Sequence, residues 1–386
     1  MPHKNFRHTV QNLPPNPGAE VLRYGWLKPN VVSLAQGEGC APTPKFIIEA
    51  ANKAMIEGKT HYGPVLGQPI LRKEISNYYK NILNVDVPSN RVFITGSGTT
   101  AMHLALTGIL DFGDEVVAIT PIWKNLLGAV ELAQAKTKQV PLDYDDEKGW
   151  SLDLQKIVDA CTEKTKAILV VTPSNPTGWM MSPEDMKTLV DFARERRIWI
   201  VSDEVYNRSV YDLKHASSFL EVADKEDLLL TVNSFSKAWA MTGWRLGWLV
   251  GPSFAEDIIR DIALYDNMGP PTFTQFGGVA ALNKGEIFIT EQLKLWQSNL
   301  DIIMQRLGNN SKIHISRPES TFYAFFKVAG EPDCVALAKR LIDEADLSLA
   351  PGCAFGKNCV GWLRLCFAVS EEKLCNALDR LEKVIK

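Results

Sequence analysis

From about residue 44 to residue 284, short apolar runs alternate with longer stretches of amphipathic pattern, and this alternation constrains the chain more than any other feature. The runs are RVFIT (91–95), EVVAIT (115–120), KAILVVTP (166–173), RIWIVSDE (197–204), LLLTVNS (228–234) and RLGWLVG (245–251). A strand with one face in water alternates apolar with polar residues; a strand covered on both faces does not. The pattern therefore predicts an α/β fold, with a mostly parallel sheet flanked by helices on both sides. Most of the runs end among Gly, Pro, Ser, Thr or Asn, and ligands of open α/β sheets collect beyond the carboxyl ends of the strands.

After Glu286 the texture changes. FITEQLKLWQSNLDIIMQRL (288–307) has the period of one long helix, and STFYAFFKV (320–328) and VGWLRLCFAV (360–369) read as antiparallel strands. At 386 residues the chain has room for two domains. We expect a large domain over residues 44–285, a smaller α+β domain built from residues 20–43 and 286–386, and an N-terminal arm over residues 1–19. A formal net charge of -3 with mixed signs argues against a nucleic-acid surface. Seven cysteines without a CxxC pair argue against a disulfide framework or a zinc site and suit a reducing compartment. No stretch of about 18 apolar residues predicts a membrane span, and the first residues lack the apolar core of a signal peptide. A soluble, cytoplasmic protein is expected.

The chemistry concentrates at a few stations. In SFSKAWAMTGWRLGW (234–248), Lys237 stands with Ser234 and Ser236 at the end of an apolar run, eight residues before Arg245. A sheltered lysine amine can form a Schiff base with a carbonyl cofactor, and a guanidinium suits a phosphate. In RVFITGSGTTAMHLAL, a Gly/Ser/Thr turn aims the amides of Gly98, Thr99 and Thr100 at whatever lies above a helix start, which favours phosphate, although many such turns bind nothing. Trp123 follows the next strand, where a flat ring serves either core packing or stacking on a heterocycle. VTPSNPTGW contains Asn175 in a turn that could carry a cis proline bond. IVSDEVY ends a strand in Asp203, with Tyr206 three residues on, and Arg364 interrupts an apolar strand, where a buried guanidinium requires an anion or an internal ion pair.

In this order, from about residue 20 to the C-terminus, these stations resemble the class I/II aminotransferases, fold type I enzymes that use pyridoxal 5'-phosphate. The resemblance implies that Lys237 is the Schiff-base lysine and proton shuttle. It implies that Gly98, Thr99, Thr100, Ser234, Ser236 and Arg245 hold the cofactor phosphate, that Trp123 stacks on the pyridine, and that Asp203 keeps its nitrogen protonated. Asn175 and Tyr206 would bond the phenolic oxygen, Arg364 would grip the substrate α-carboxylate, and Gly37 would let that carboxylate approach the backbone. Tyr62 would reach the phosphate of a neighbouring subunit, making the functional unit a homodimer. The implied activity is ping-pong transfer of an amino group from an L-amino acid to a 2-oxo acid.

Two departures bear on specificity. Gly37-Glu38 continues as Gly39-Cys40-Ala41-Pro42, where the family commonly has Glu-Pro-Asp-Phe, and the phosphate turn carries Thr99 and Thr100, where some aspartate-specific members place a lysine. A carbon-sulfur lyase or amino-acid oxidase on the same scaffold is the alternative reading. A non-catalytic regulator that binds the same cofactor is disfavoured, because only about 20 residues precede the family region.

Overall fold

The computed structural model describes residues 5–11 and 13–385, so residues 1–4 and 12 of the expected N-terminal arm lie outside the described residues. Its centre is a seven-stranded sheet of β1 (Val92–Thr95), β2 (Glu115–Thr120), β3 (Lys136–Pro141), β4 (Thr165–Val171), β5 (Trp199–Asp203), β6 (Leu229–Ser234) and β7 (Gly247–Val250), in the order β1-β7-β6-β5-β4-β2-β3. The ladder from β6 to β3 is parallel, and β7 runs antiparallel between β6 and β1. All six expected strands are present. β3 was not foreseen, because its sequence KTKQVP is polar and mostly half-exposed at the sheet edge.

The apolar runs are explained by burial on both faces. Val117 and Ile119 of β2 enter one hydrophobic core together with Ile168, Val170 and Ile200, while Val116 and Ala118 enter a second core with Ala167, Leu169 and Val201. Consecutive side chains of a strand point to opposite faces, so both cores demand apolar residues. Each fully buried Val, Leu or Ile contributes about 1.5–3 kcal/mol.

A second, four-stranded sheet is formed by β8 (Ile313–His314), β9 (Tyr323–Val328), β10 (Ala350–Pro351) and β11 (Trp362–Cys366), in the order β8-β9-β11-β10 and antiparallel throughout. It packs with the 22-residue helix Glu286–Leu307 around a core of Leu300, Ile303, Phe326, Leu363 and Leu365. Val32–Ser33 pairs with Leu347–Ser348, which ties the segment before the large sheet to this later region. Among the described residues, no helix is long and apolar enough to cross a membrane.

Candidate active site

The carboxyl ends of five strands meet at one cavity of about 220 Å³. Its walls include Gly98 and Thr99 beyond β1, Trp123 beyond β2, Val171 and Asn175 at and beyond β4, Asp203 and Tyr206 at and beyond β5, and Ser234, Ser236 and Lys237 at and beyond β6. Arg245, Gly37 and Arg364 also line it, as do Ser97, Thr242 and Tyr323. A second cavity of about 380 Å³ shares Gly37, Trp123, Lys237, Thr242 and Arg364 with the first and adds Lys124, Phe355 and Asn16.

The rim beyond β1 is set by sequence chemistry. Ser97 caps the 12-residue helix Gly98–Ile109, its Oγ accepting the Thr100 amide at 2.9 Å. The Thr100 amide is thereby committed within the protein, whereas the amides of Gly98 and Thr99 have no protein acceptor among the described residues. Thr100 does not line the cavity, so the structure separates it from Gly98 and Thr99. Gly247 of β7 lies directly beneath: a Cβ there would come within 2.6 Å of the Gly98 nitrogen, so only glycine lets the helix start sit so low. Ser234 Oγ bonds Ser236 Oγ at 2.9 Å, and Arg245 donates to the Thr242 carbonyl at 2.6 Å.

At the floor, Asp203 and Glu204 show two fates of adjacent buried carboxyls. The Glu204 oxygens accept from Ser202 Oγ at 3.0 Å, Ser218 Oγ at 2.6 Å and the Phe219 amide at 3.0 Å, away from the cavity. Among the described residues the Asp203 carboxyl accepts one bond, from the Val205 amide at 3.2 Å, and it faces the cavity. Burial pushes the Asp203 carboxyl up to about 6, opposed by the Val205 amide and by Lys237.

Lys237 Nζ donates to the Gly37 carbonyl at 2.7 Å and lies 5.8 Å from the centre of the Tyr206 ring. Burial lowers its ammonium to about 8. Asn175 Nδ2 donates to the Tyr206 hydroxyl at 3.3 Å, and Asn175 Oδ1 accepts from Arg364 Nη1 at 2.8 Å. Both Thr172–Pro173 and Asn175–Pro176 are cis. Arg364 Nη2 donates to the Ala35 carbonyl at 2.6 Å, its Nε has no partner, and no carboxylate pairs with it among the described residues. Its guanidinium sits 4.3 Å from the Tyr323 ring centre and 4.8 Å from that of Phe355.

Tyr62 lies apart from this cavity, 85% exposed. Sequence reasoning missed Ser97, Thr242 and Tyr323. Ser97 had a local signal, a serine before a helical pattern. Tyr323 had none within its own strand, since its position depends on the pairing of β9 with β11.

Residues 29–381 match the family described as Aminotransferase class I and II. The chain belongs to the class I and II aminotransferases. It is an enzyme of the family that uses pyridoxal phosphate. The probable aspartate aminotransferase of Methanocaldococcus jannaschii is 35% identical over 92% of this chain and 93% of that protein. The aromatic-amino-acid aminotransferase 2 of Thermococcus litoralis is 32% identical over 92% of this chain and 92% of that protein. The crystal structure of the Thermotoga maritima aspartate aminotransferase superposes with a TM-score of 0.91 at 29% identity, covering 98% of this chain and 99% of that one.

The residues present fit the cofactor. Two uncommitted amides at a helix start, with the Ser234 and Ser236 hydroxyls and the Arg245 side chain, suit a phosphate. A buried carboxyl with a single protein donor suits a protonated ring nitrogen, and a buried amine suits an aldehyde.

Proposed function

We propose that this aminotransferase takes L-α-amino acids as donors, reads them through Arg364, and moves the substrate proton with Lys237. The carrying observation is that a buried amine, its ammonium lowered to about 8, and a buried guanidinium without a carboxylate partner among the described residues face one cavity. Aspartate and aromatic donors, named in the relatives, share only the α-amino acid head, and that head is what a planar guanidinium fork can bind in two parallel hydrogen bonds.

Gly98, Thr99, Ser234, Ser236 and Arg245 would hold the cofactor phosphate, Trp123 would lie against its ring, and Asp203 would pair with its nitrogen. When bound, pyridoxal phosphate supplies a conjugated, electron-withdrawing ring that stabilises negative charge at the substrate Cα. Arg364 fixes the carboxylate, which holds the Cα-H bond in one orientation. Lys237, with its ammonium near 8, has a substantial neutral fraction at physiological pH and takes the Cα proton as a general base. Asn175 ties the two halves together, because one amide group contacts both Arg364 and the Tyr206 hydroxyl.

The functional unit in this reading is a homodimer in the cytoplasm. Support comes from Tyr62, Tyr265 and Ile56, large side chains that are each at least 85% exposed in the single chain, and from seven free thiols. The division into residues 44–285 and residues 20–43 with 286–386 is part of the same proposal, supported by separate cores around the two sheets. Lys237→Ala is expected to reduce transamination by about 10²–10⁴-fold, the range of general acid-base contributions. Turnover at the wild-type rate by that variant would end the assignment.

A further inference from the structure

Tyr323 has no assigned role, yet it touches three of the groups that carry the chemistry. It is fully buried on β9, and its hydroxyl lies 2.7 Å from the Tyr206 hydroxyl. Its ring is the nearer of the two aromatic faces against the Arg364 guanidinium. Its hydroxyl also occupies the space a Cβ at Gly37 would need, so the glycine whose carbonyl accepts Lys237 Nζ is held to glycine by Tyr323.

The direction of the Tyr206–Tyr323 bond follows from counting donors and acceptors. A phenol has one proton to give. Tyr206 is the only hydrogen-bond partner of the Tyr323 hydroxyl among the described residues, and of these two rings, which both line the cavity, Tyr323 is the more deeply buried, so a Tyr323 proton aimed away from Tyr206 meets no protein acceptor. Tyr206, the less deeply buried of the two, is the one placed to donate into the cavity, and the donor role within the pair is assigned to Tyr323. The Tyr206 oxygen then accepts twice, from Tyr323 and from Asn175 Nδ2, and its own proton is left for the cavity that it lines. Accepting two bonds also makes that proton a better donor, since chained hydrogen bonds polarise one another.

We propose that Tyr323 is a positioning residue that aims the Tyr206 proton at an anionic oxygen bound in the cavity and fixes the plane of the Arg364 guanidinium through its ring. The proposal rests on the reading of this cavity as the pyridoxal phosphate site, the anionic oxygen being the phenolic one of the cofactor. It assigns separate work to the two parts of one side chain: the hydroxyl tunes Tyr206, and the ring serves Arg364.

The test is a pH titration of the visible absorption of the pyridoxal phosphate-loaded protein, made for wild type, Tyr323→Phe, Tyr206→Phe and the double variant. Tyr323→Phe keeps the ring and removes one hydroxyl. Weaker donation from Tyr206 favours the protonated chromophore, so its titration is expected to move up by about 0.5 to 1 unit, the shift that loss of one ordinary hydrogen bond produces. In the Tyr206→Phe background the same change should add nothing. KM for the amino acid should stay at the wild-type value in Tyr323→Phe and rise about three- to tenfold in Tyr323→Leu, which loses the aromatic face. An unshifted titration in Tyr323→Phe, or the same shift with Tyr206 already replaced, overturns the role of the hydroxyl. An equal KM in Tyr323→Phe and Tyr323→Leu overturns that of the ring. Absence of any visible band in the loaded wild type would instead count against the cofactor site itself, and with it the proposal.

Discussion

Arg208 and Arg364 are each 5% exposed, and the two regions around them solve the burial of a guanidinium in opposite ways. Arg208 reaches Glu286 with both arms of its fork, Nη1 to Oε1 at 2.8 Å and Nη2 to Oε2 at 2.7 Å. Arg364 meets an amide oxygen, a backbone carbonyl and two aromatic faces, and no carboxylate among the described residues. The Nε of each is unpaired, so that feature does not distinguish them. Charge balance does. Arg208 closes its account inside the protein and holds the start of the long helix Glu286–Leu307 against the large sheet. Arg364 keeps a net positive charge in a low-dielectric wall, a condition that a carboxylate ligand relieves. Burial alone does not distinguish the two; the missing counter-ion does.

If the contrast is sound, Arg364→Leu removes binding and Arg208→Leu removes stability. Arg364→Leu is expected to lower kcat/KM for every amino acid by about 10²–10³, the cost of losing a charged, bidentate contact, with little loss of melting temperature because no ion pair breaks. Steady-state kinetics and thermal unfolding on the same preparation check both halves, and a collapse of stability would place Arg364 in the structural class.

Asp203→Asn sharpens the comparison from the acidic side. The folded carboxyl keeps its proton up to about pH 6, whereas an unfolded aspartate releases it near pH 4. The folded state binds more protons in that window, so this group's contribution to stability falls as pH rises from about 4 to about 6. At pH 7.5 the neutral amide is therefore expected to stabilise the cofactor-free protein, by up to about 3 kcal/mol, while transamination is lost. Denaturant unfolding of wild type and variant at pH 4 and pH 7.5 reads the difference; equal stabilities at pH 7.5 would deny that the carboxyl is held at a cost.

Arg208→Leu is expected to cost about 1–3 kcal/mol, below the figure for a fully buried pair because Glu286 is half-exposed. Turnover by the folded variant should stay near wild type. Since Arg208 holds the Glu286 carboxyl below its usual range, the part of this stability that comes from the pair is present above the ordinary glutamate pKa and is lost as pH falls below it. The smallest expected effect concerns Lys237 in the cofactor-free protein. Its amine is neutral above about pH 8 and charged below, so its labelling rate by a small aldehyde should rise about tenfold per pH unit up to that point and then level off. A rise continuing to pH 10 would show an ordinary exposed lysine.

Much of this was legible in the sequence, for a physical reason. A parallel sheet buried on both faces leaves an unbroken apolar signature, and its functional groups sit at fixed places, the carboxyl ends of those runs. Asp203 closes β5, and Lys237 follows the end of β6 by three residues. Arg364 was visible as a charge inside an apolar strand. What could not be read was which aromatic rings would face it, because Tyr323 and Phe355 reach Arg364 through strand pairing and a loop between β10 and β11. β3 escaped notice because an edge strand buries too little to be apolar. That the Thr100 amide is committed rather than free could not be read from its own position, because the decision lay with Ser97, three residues before it.

The most direct test of the account is the half-reaction. Protein loaded with pyridoxal phosphate is given one amino acid and no 2-oxo acid, and 2-oxo acid, ammonia and hydrogen peroxide are quantified while the visible absorption is followed. The account predicts one equivalent of 2-oxo acid per site, loss of the visible band, and neither ammonia nor peroxide. Continued release of ammonia or peroxide beyond one equivalent, or an intact band across the full panel of common L-amino acids, would contradict it.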